Sequence, residues 1–339
     1  VLQPLDDLPG FEEVKGRFQS EAFVPYQMNG KTYALPETQE FNMLFVRTDI
    51  FDLLNLQIPS TWDELLSVVP AIVQNNLSVG LPNGIHSSIT SGMTGSLPSI
   101  LPALLLQNGM NYYKNEKSTV FSSREGIEVF YEFTKFYTDY DCEIYFDALN
   151  RFRTGEMPLM IAPFSTNNSL YLMAPEIKGL WKMLPILGTE KEQSGEKAVD
   201  ISEEDTGTAT ILFADDGNRE AAWKFLSWWS SDQVQSDYSM KLETILGASA
   251  RYSTANLNAF ETLSWSKEEL EVLRTQRNSV CGIPEHPASY IIHRNLANAF
   301  LEVVQDGKNA KETIVNYSVI MDNELERKQV QLERRGMMK

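Results

Sequence analysis

Apolar and polar positions along this chain follow two periods, and the period switches repeatedly. Thr32–Pro36 (TYALP) and Phe41–Arg47 (FNMLFVR) are short apolar runs that predict strands. From Ser60 the period lengthens. Ser60 or Thr61 can cap a helix, Asp63 or Glu64 can close a capping box, and Leu65, Leu66 and Val69 then share one face. Pro70 is expected to bend or end that helix, because it brings no N–H and its ring crowds the preceding turn. Ser78–Leu81 predicts a short strand, and Ser122-Ser123-Arg124-Glu125 predicts a second capped start. That helix runs to about Tyr137, with Ile127, Phe130, Tyr131, Thr134 and Phe136 near one side. Pro158–Ala162 (PLMIA) reads as a buried strand ending at Pro163, and Lys182–Ile186 as a weaker one. Thr189–Asp205 has only Ala198, Val199 and Ile201 to bury, so it predicts a surface loop. Thr206–Phe213 (TGTATILF) returns to a strand. Asn218 then caps a helix carrying Ala221, Ala222, Phe225, Leu226 and Trp229 at helical spacing. From Lys267 to Arg335 the pattern is mostly helical and ends in a charged run. Alternating helices and strands predict α/β architecture.

Composition sharpens this picture. A chain of 339 residues, 42% of them hydrophobic, is too long for one compact core and suits two lobes. Lysine and arginine number 29 against 46 acidic residues, a net charge of −17. Such a surface repels phosphate backbones, which argues against nucleic acid and suits a neutral or cationic small ligand. The two cysteines, Cys142 and Cys281, form no CxxC pair and no zinc pattern; free thiols are expected, with a disulfide between them left open. The apolar stretch Leu97–Leu106 is too short for a membrane helix and holds two prolines. The opening Val1-Leu2-Gln3-Pro4-Leu5 reads as the middle of a domain, so a truncated start is expected.

A search for catalytic chemistry returns little. The segments nearest to a G-x-S-x-G elbow, Gly92-Met93-Thr94-Gly95-Ser96 and Gly247-Ala248-Ser249, do not match it, and there is neither a P-loop nor a GxGxxG. His86, His286 and His293 lack metal-ligand spacing and are read as surface or capping residues. Glu37, Glu40 and Asp63 are the carboxylates best placed for a glycosidase pair, but sequence does not bring any two within the ~5–9 Å that reaction needs. No enzyme activity, cofactor or metal is expected.

Five blocks, in order, resemble family 1 extracellular solute-binding proteins, the maltose-binding-like receptors of ABC importers. They are Tyr26–Pro36 (YQMNGKTYALP); Phe45-Val46-Arg47-Thr48-Asp49-Ile50-Phe51 with Ile58–Leu65 (IPSTWDEL); Phe152–Ile161 (FRTGEMPLMI); Asn218–Leu226 (NREAAWKFL); and Leu246–Arg251 (LGASAR). Val46 stands where an aromatic is usual, and the wording YALPETQ is close to large Gram-positive sugar-binding lipoproteins. The resemblance implies a two-lobe periplasmic-binding-protein-like fold of type II, with lobe I incomplete at its N-terminus. Lobe I would hold 1–41 and 208–245, and lobe II 42–207 and 246–336. The crossings would fall near Glu40–Asn42, Thr206–Thr208 and Ile245–Gly247.

The function it implies is extracellular capture of a sugar or oligosaccharide for a permease, by a monomer tethered through a lipid anchor outside this chain. Candidate ligand contacts are Glu37, Gln39, Glu40 and Asn42 at the first crossing, and Asp205, Thr206 and Thr208 beside Gly207 at the second. Phe164, Ser165, Thr166 and Asn167 lie in a loop that faces the cleft in the family. Tyr290 matches a stacking aromatic, Met93 and Thr94 a cleft-lining loop, and Arg251 either binds ligand or pairs with a carboxylate. Of Trp62, Trp223, Trp228 and Trp229, at most one is expected to touch ligand. The alternatives are the same fold with a peptide, polyamine or uronate, or a carbohydrate-active enzyme. Excess carboxylates in the cleft would favour a cation, and Arg251 reaching the ligand an acid sugar.

Overall fold

A computed structural model describes residues 2–85, 98–193, 195–214 and 217–334. The principal sheet has four strands: β1 (Asn42–Arg47), β2 (Val79–Gly80), β3 (Leu159–Pro163) and β4 (Trp181–Leu184), in the order β2-β3-β1-β4. β1 runs antiparallel to β3 and β4, while β2 and β3 are parallel. All six residues of β1 are buried, because both faces of the sheet are covered. Leu44 and Val46 enter one core and Phe41, Met43 and Phe45 another, the period-two alternation of a strand. Arg47, buried at the end of β1, is held by Asp49 and donates to the Phe152 and Arg153 carbonyls. It thereby satisfies the C-terminal end of the helix Ala148–Thr154.

The helix Trp62–Gln74 starts as its sequence dictates. Thr61 Oγ1 accepts from the Glu64 amide, and Glu64 accepts in return from the backbone and hydroxyl of Ser60. It does not end at Pro70. The proline removes one hydrogen bond, but burial of Leu65, Val69 and Ile72 on one face carries the helix past it. Ser123 caps Arg124–Thr138 through the Gly126 amide. Thr189–Asp205 is not the loop its polarity predicted: Thr189–Gln193 and Glu196–Asp200 form an antiparallel hairpin. Cross-strand Lys191–Asp200 and Lys197–Glu190 pairs replace the apolar burial that the prediction looked for. The strand expected over Thr206–Phe213 shortens to Ala209–Ile211, with Thr206 and Phe213 in single bridges. Asn218 occupies the N-cap position of Arg219–Trp229, but its side chain does not cap the helix. The C-terminal part is helical over Lys267–Arg277, Ser289–Val304 and Ala310–Arg334. Both cysteines are free thiols, and burial pushes Cys142 up to about 12.

A smaller core is separate from the two that flank the sheet. Leu5, Phe11, Val14, Phe23 and Leu35 pack there with Leu212, Trp223, Leu226 and Ala255. It draws on residues 5–35 and 212–255 while the sheet draws on 42–184 between them, so the chain must pass between the cores more than once. Among the described residues no helix is long and apolar enough to cross a membrane.

Candidate functional site

The passages between the cores lie side by side. Ala34–Pro36 pairs with Ala209–Ile211, and single bridges join Glu40 to Thr206 and Thr38 to Thr254. The Gln39 amide donates to the Ser253 carbonyl at 2.9 Å and the Ala255 amide to the Glu37 carbonyl at 3.0 Å. Glycine is required at 207 because an added Cβ would lie 2.1 Å from the Thr38 carbonyl oxygen. Gly207→Ala is therefore expected to destabilise the protein by about 2–3 kcal/mol, the usual penalty of forced overpacking, in a urea melt; a change under about 0.5 kcal/mol would show that the strands separate freely.

The candidate side chains at these crossings divide into two kinds. Gln39 is buried and fully used: Nε2 donates to Asp205 Oδ2 at 2.8 Å and to Gln19 Oε1 at 3.0 Å, while Oε1 accepts from Arg277 Nε at 2.7 Å. Thr208 shares a 2.7 Å hydroxyl contact with Thr38, and Thr206 donates to the Glu40 carbonyl. Glu37 accepts from Thr210, Trp229 Nε1 and the Tyr252 hydroxyl. Asn42 donates to Glu203. These contacts hold strand to strand. Glu40, by contrast, is pushed up to about 7 by burial, against the opposing pull of the Ser253 and Ser165 hydroxyls. Asp205 is likewise raised to about 7 by burial, with Gln39 and Arg277 pulling the other way.

The loop after β3 is reached from the same side. Phe164 is 1% exposed, with rings of Phe41, Phe260 and Trp265 within 4.8–6.1 Å, so its faces serve the core and offer no stacking platform. Thr166 and Asn167 are also buried, at the start of the helix Thr166–Met173. Thr166 Oγ1 and Asn167 Oδ1 have no partner there, although Asn167 Nδ2 donates to Glu269. Arg251 is paired: it grips Glu243 through two nitrogens, donates to Asn168 Oδ1 and lies 4.3 Å over the Trp265 ring. Tyr290 is 58% exposed on the helix Ser289–Val304, with Lys328 Nζ 5.9 Å from its ring, and is not gathered with the crossings. Met93, Thr94 and His86 lie outside the described residues. His286 and His293 are not the surface or capping residues expected: His286 is buried, its Nδ1 accepting from the Ala288 amide without capping the helix Ser289–Val304, and half-buried His293 packs against Tyr112. Trp62 and Trp223 are buried, donating to Gln107 and to the Pro9 carbonyl.

Several residues escaped the sequence reading. Arg277 is buried in the network of Gln39 and stacks 4.5 Å over Phe260. Glu203 is 1% exposed, and Glu204 is partly buried and raised to about 8 by burial and by the like charges of Glu285 and Asp205. Three consecutive carboxylates, Glu203-Glu204-Asp205, two positions before Gly207, were the available signal. They were absorbed into the expected surface loop. Among the described residues no cluster of three metal-ligating side chains occurs.

Separate cores joined by adjacent crossing strands, with polar groups concentrated at the join, define a two-lobe α/β protein. Solved structures share this fold. The sugar-binding protein MalE of Xanthomonas citri matches with a TM-score of 0.76 at 15% identity, over 98% of this chain and 81% of its own. A solute-binding protein of an ABC transporter from Thermotoga lettingae, bound with α-D-tagatose, matches at 0.71 and 16% identity over 96% and 80%. The GacH receptor of Streptomyces glaucescens, solved unliganded and with acarbose, matches at 0.70 and 16% over 96% and 79%. No curated protein matches the sequence. Residues 1–262 match the model of the bacterial extracellular solute-binding protein family, and the chain belongs to that family. Its members, and the proteins of these solved structures, are binding proteins.

Proposed function

We propose that this protein captures a sugar or oligosaccharide between its two lobes and delivers it to the permease of an ABC transporter. The observation that carries the reading is the set of adjacent crossings at Thr38–Glu40, Thr206–Thr208 and Ser253–Ala255 between separate cores. Rotation about such strands opens and closes a cleft without unfolding either core. The neighbours bound to tagatose and acarbose support a carbohydrate. Lobe I would comprise 1–41 and 208 to about 255, some ten residues beyond the 208–245 that the resemblance implies, and lobe II 42–207 and the remainder to 336. The third crossing would then lie at Ser253–Ala255 in place of 245–247, since Ile245 belongs to the helix Asp232–Leu246 and Ala255 packs in the smaller core.

Glu40, Asp205, Ser165, Thr166 and Asn167 are the side chains we assign to the ligand among those at the join. The unpartnered Thr166 Oγ1 and Asn167 Oδ1 would find their partners in its hydroxyls. Glu37, Gln39, Asn42, Thr206 and Thr208 are assigned to holding the crossings, and Arg251 to its pairing with Glu243. The reading has no bond-making step. A lipid anchor outside this chain would keep the monomer at the cell surface. A thermal-shift panel of mono- and oligosaccharides, with amino acids, peptides and polyamines as controls, tests the reading. A saccharide at 100 times its Kd should stabilise the protein by about 2.7 kcal/mol. A shift with peptides or polyamines alone would discard the sugar, and no shift with any class would discard small-solute capture.

A further inference from the structure

The separate cores also touch away from the crossing strands. The short 3₁₀ helix Ser20–Tyr26 belongs to the smaller core through Phe23, which is fully buried there. The strand Val280–Cys281 belongs with the principal sheet: Val280 packs in one of its flanking cores and Ile283 in the other. Gly282 lies where the two meet. Its amide donates to Glu21 Oε2 at 2.9 Å. A Cβ built on it would sit 2.3 Å from the Glu21 carbonyl oxygen and 2.4 Å from Val24 Cβ. Its φ lies outside the left-handed region, so close approach alone requires glycine here. Just ahead of the 3₁₀ helix Gln19 makes a second link. Its Nε2 donates at 2.9 Å to the carbonyl of Arg277, the last residue of the helix Lys267–Arg277. That helix is anchored through Leu273 in a core that flanks the sheet.

Strand alternation fixes the side of the crossings on which this contact sits. The crossing Thr38–Glu40 is bridged at Thr38 to Thr254 and at Glu40 to Thr206. Gln39 and Glu40 are consecutive on this extended segment, so their side chains project to opposite faces. Gln39 Nε2 donates to Gln19 Oε1 at 3.0 Å, which ties its face to the contact. Glu40 accepts from the Ser253 hydroxyl and from Ser165, whose loop also joins the crossing where the Phe164 amide donates to the Phe41 carbonyl at 3.0 Å. The unpartnered Thr166 and Asn167 follow Ser165 directly. The contact is therefore behind the crossings, and the groups assigned to the solute are in front. A hinge between two faces acts as a see-saw: rotation that brings the lobes together in front draws Glu21 and Gly282 apart behind.

We propose that Gln19, Glu21 and Gly282 form a rear stop that sets the resting angle of the two lobes and, through that angle, the affinity for the solute. This rests on the two-lobe capture reading. Closure on a solute has to release the Gly282–Glu21 and Gln19–Arg277 bonds, so their strength opposes binding by residues that the solute never touches. The bare glycine lets backbone meet backbone, which fixes the angle more sharply than long side chains would. Only the carbonyl of Arg277 belongs to the stop. Its guanidinium holds the crossings themselves, through Gln39 and the Ala255 carbonyl.

Small-angle scattering of the full chain without solute tests the stop. Gly282→Ala drives a methyl group against the Glu21 carbonyl and should force the rear apart, so the radius of gyration should fall as the front closes. The double variant Gln19→Ala, Glu21→Ala removes both bonds without a wedge. It should contract in the same direction by less, and it keeps the stop testable if the wedge does not fold. Melts confirm that each variant is folded. Calorimetric titration with maltose, mannobiose and tagatose adds a second readout. Any of these that binds the unaltered protein should bind both variants about fivefold tighter or more, the worth of releasing one hydrogen bond to a charged group, even where the melting temperature has dropped. A merely structural contact would lower stability and leave scattering and affinity where they were. That result, a larger radius of gyration, or weaker saccharide binding overturns the stop. Contraction of the variants with no saccharide bound by any form keeps the stop and discards sugar capture.

Discussion

Raising the pH of the ligand-free protein from 5 to 8.5 is expected to lower its unfolding free energy. Glu40 and Asp205 are raised to about 7 in the folded state, and Glu203 is raised well above the ordinary carboxylate range. Burial is the first cause in each case. In the unfolded chain the same groups titrate near 4. Between these values the folded protein binds more protons than the unfolded chain, so stability falls as pH rises. Their contribution is fully present below about pH 4 and is lost as the pH passes each folded value. At 1.36 kcal/mol per unit, Glu40 or Asp205 alone accounts for roughly 3 kcal/mol. Asp49, Glu243 and Glu261 act oppositely. Their arginine partners Arg47, Arg251 and Arg274 hold them below the ordinary range, and the stability they confer disappears as the pH falls through those lowered values. Maximum stability should therefore lie near pH 5, between the two groups. Urea unfolding at half-unit pH intervals measures this, and a stability that climbs steadily to pH 8.5 would contradict the burial of these carboxylates. Glu40→Gln should flatten the slope above pH 5.

Replacing Arg277 with methionine should be the most damaging single change at the join. Its guanidinium donates to Gln39 Oε1 at 2.7 Å and to the Ala255 carbonyl at 3.1 Å, stacks over Phe260, and offsets the charge of Asp205. Methionine retains much of the packing but leaves Gln39, the Ala255 carbonyl and Asp205 without their cation. Removing one partner of a buried charged network costs about 3–5 kcal/mol, since the group left behind remains desolvated. The loss should be largest at pH 8, where Asp205 is ionised, and smaller at pH 5, where it is protonated. Asp205→Asn in the Arg277→Met background should recover part of it. A loss below about 1 kcal/mol at pH 8 would show that the crossings are held by their backbone ladders alone. Because Gln39 also bonds Gln19 and Asp205, the same variant tests whether this network sets the energy of lobe rotation. Small-angle scattering should report a wider ligand-free form.

Much of the local structure followed from short-range chemistry. Thr61 and Ser123 cap their helices because their hydroxyls reach the amides three residues on, and that geometry needs nothing beyond the turn itself. The segment Phe41–Arg47 became a fully buried strand because an unbroken apolar run has both faces to cover. The same locality explains the failures. Pro70 breaks a helix in isolation, but here the buried face spans it. The hairpin Thr189–Asp200 is held by charges that come together only once the chain has turned back.

The site shows the same division. The segments we propose for it were each named from sequence, the loop Phe164–Asn167, the crossing Glu37–Asn42 and the run Asp205–Thr208, and Glu40 bridges Thr206 and accepts from Ser165 at the join. The roles of their side chains were not legible. Whether a polar side chain faces a ligand or a neighbouring strand depends on partners more than 150 residues away in sequence, such as Thr38 with Thr208 or Gln39 with Arg277. The sequence by itself determined the α/β class, the helix starts, the strand at the centre of the sheet and the charge that disfavours anionic partners. Each of these depends on composition or on contacts within a few residues. Only the tertiary structure decided that Phe164 packs in the core, that Arg251 is paired, and that Glu203 is buried beside Asn42. Desolvation and charge coupling act through space, and they exist only after distant segments have been brought together.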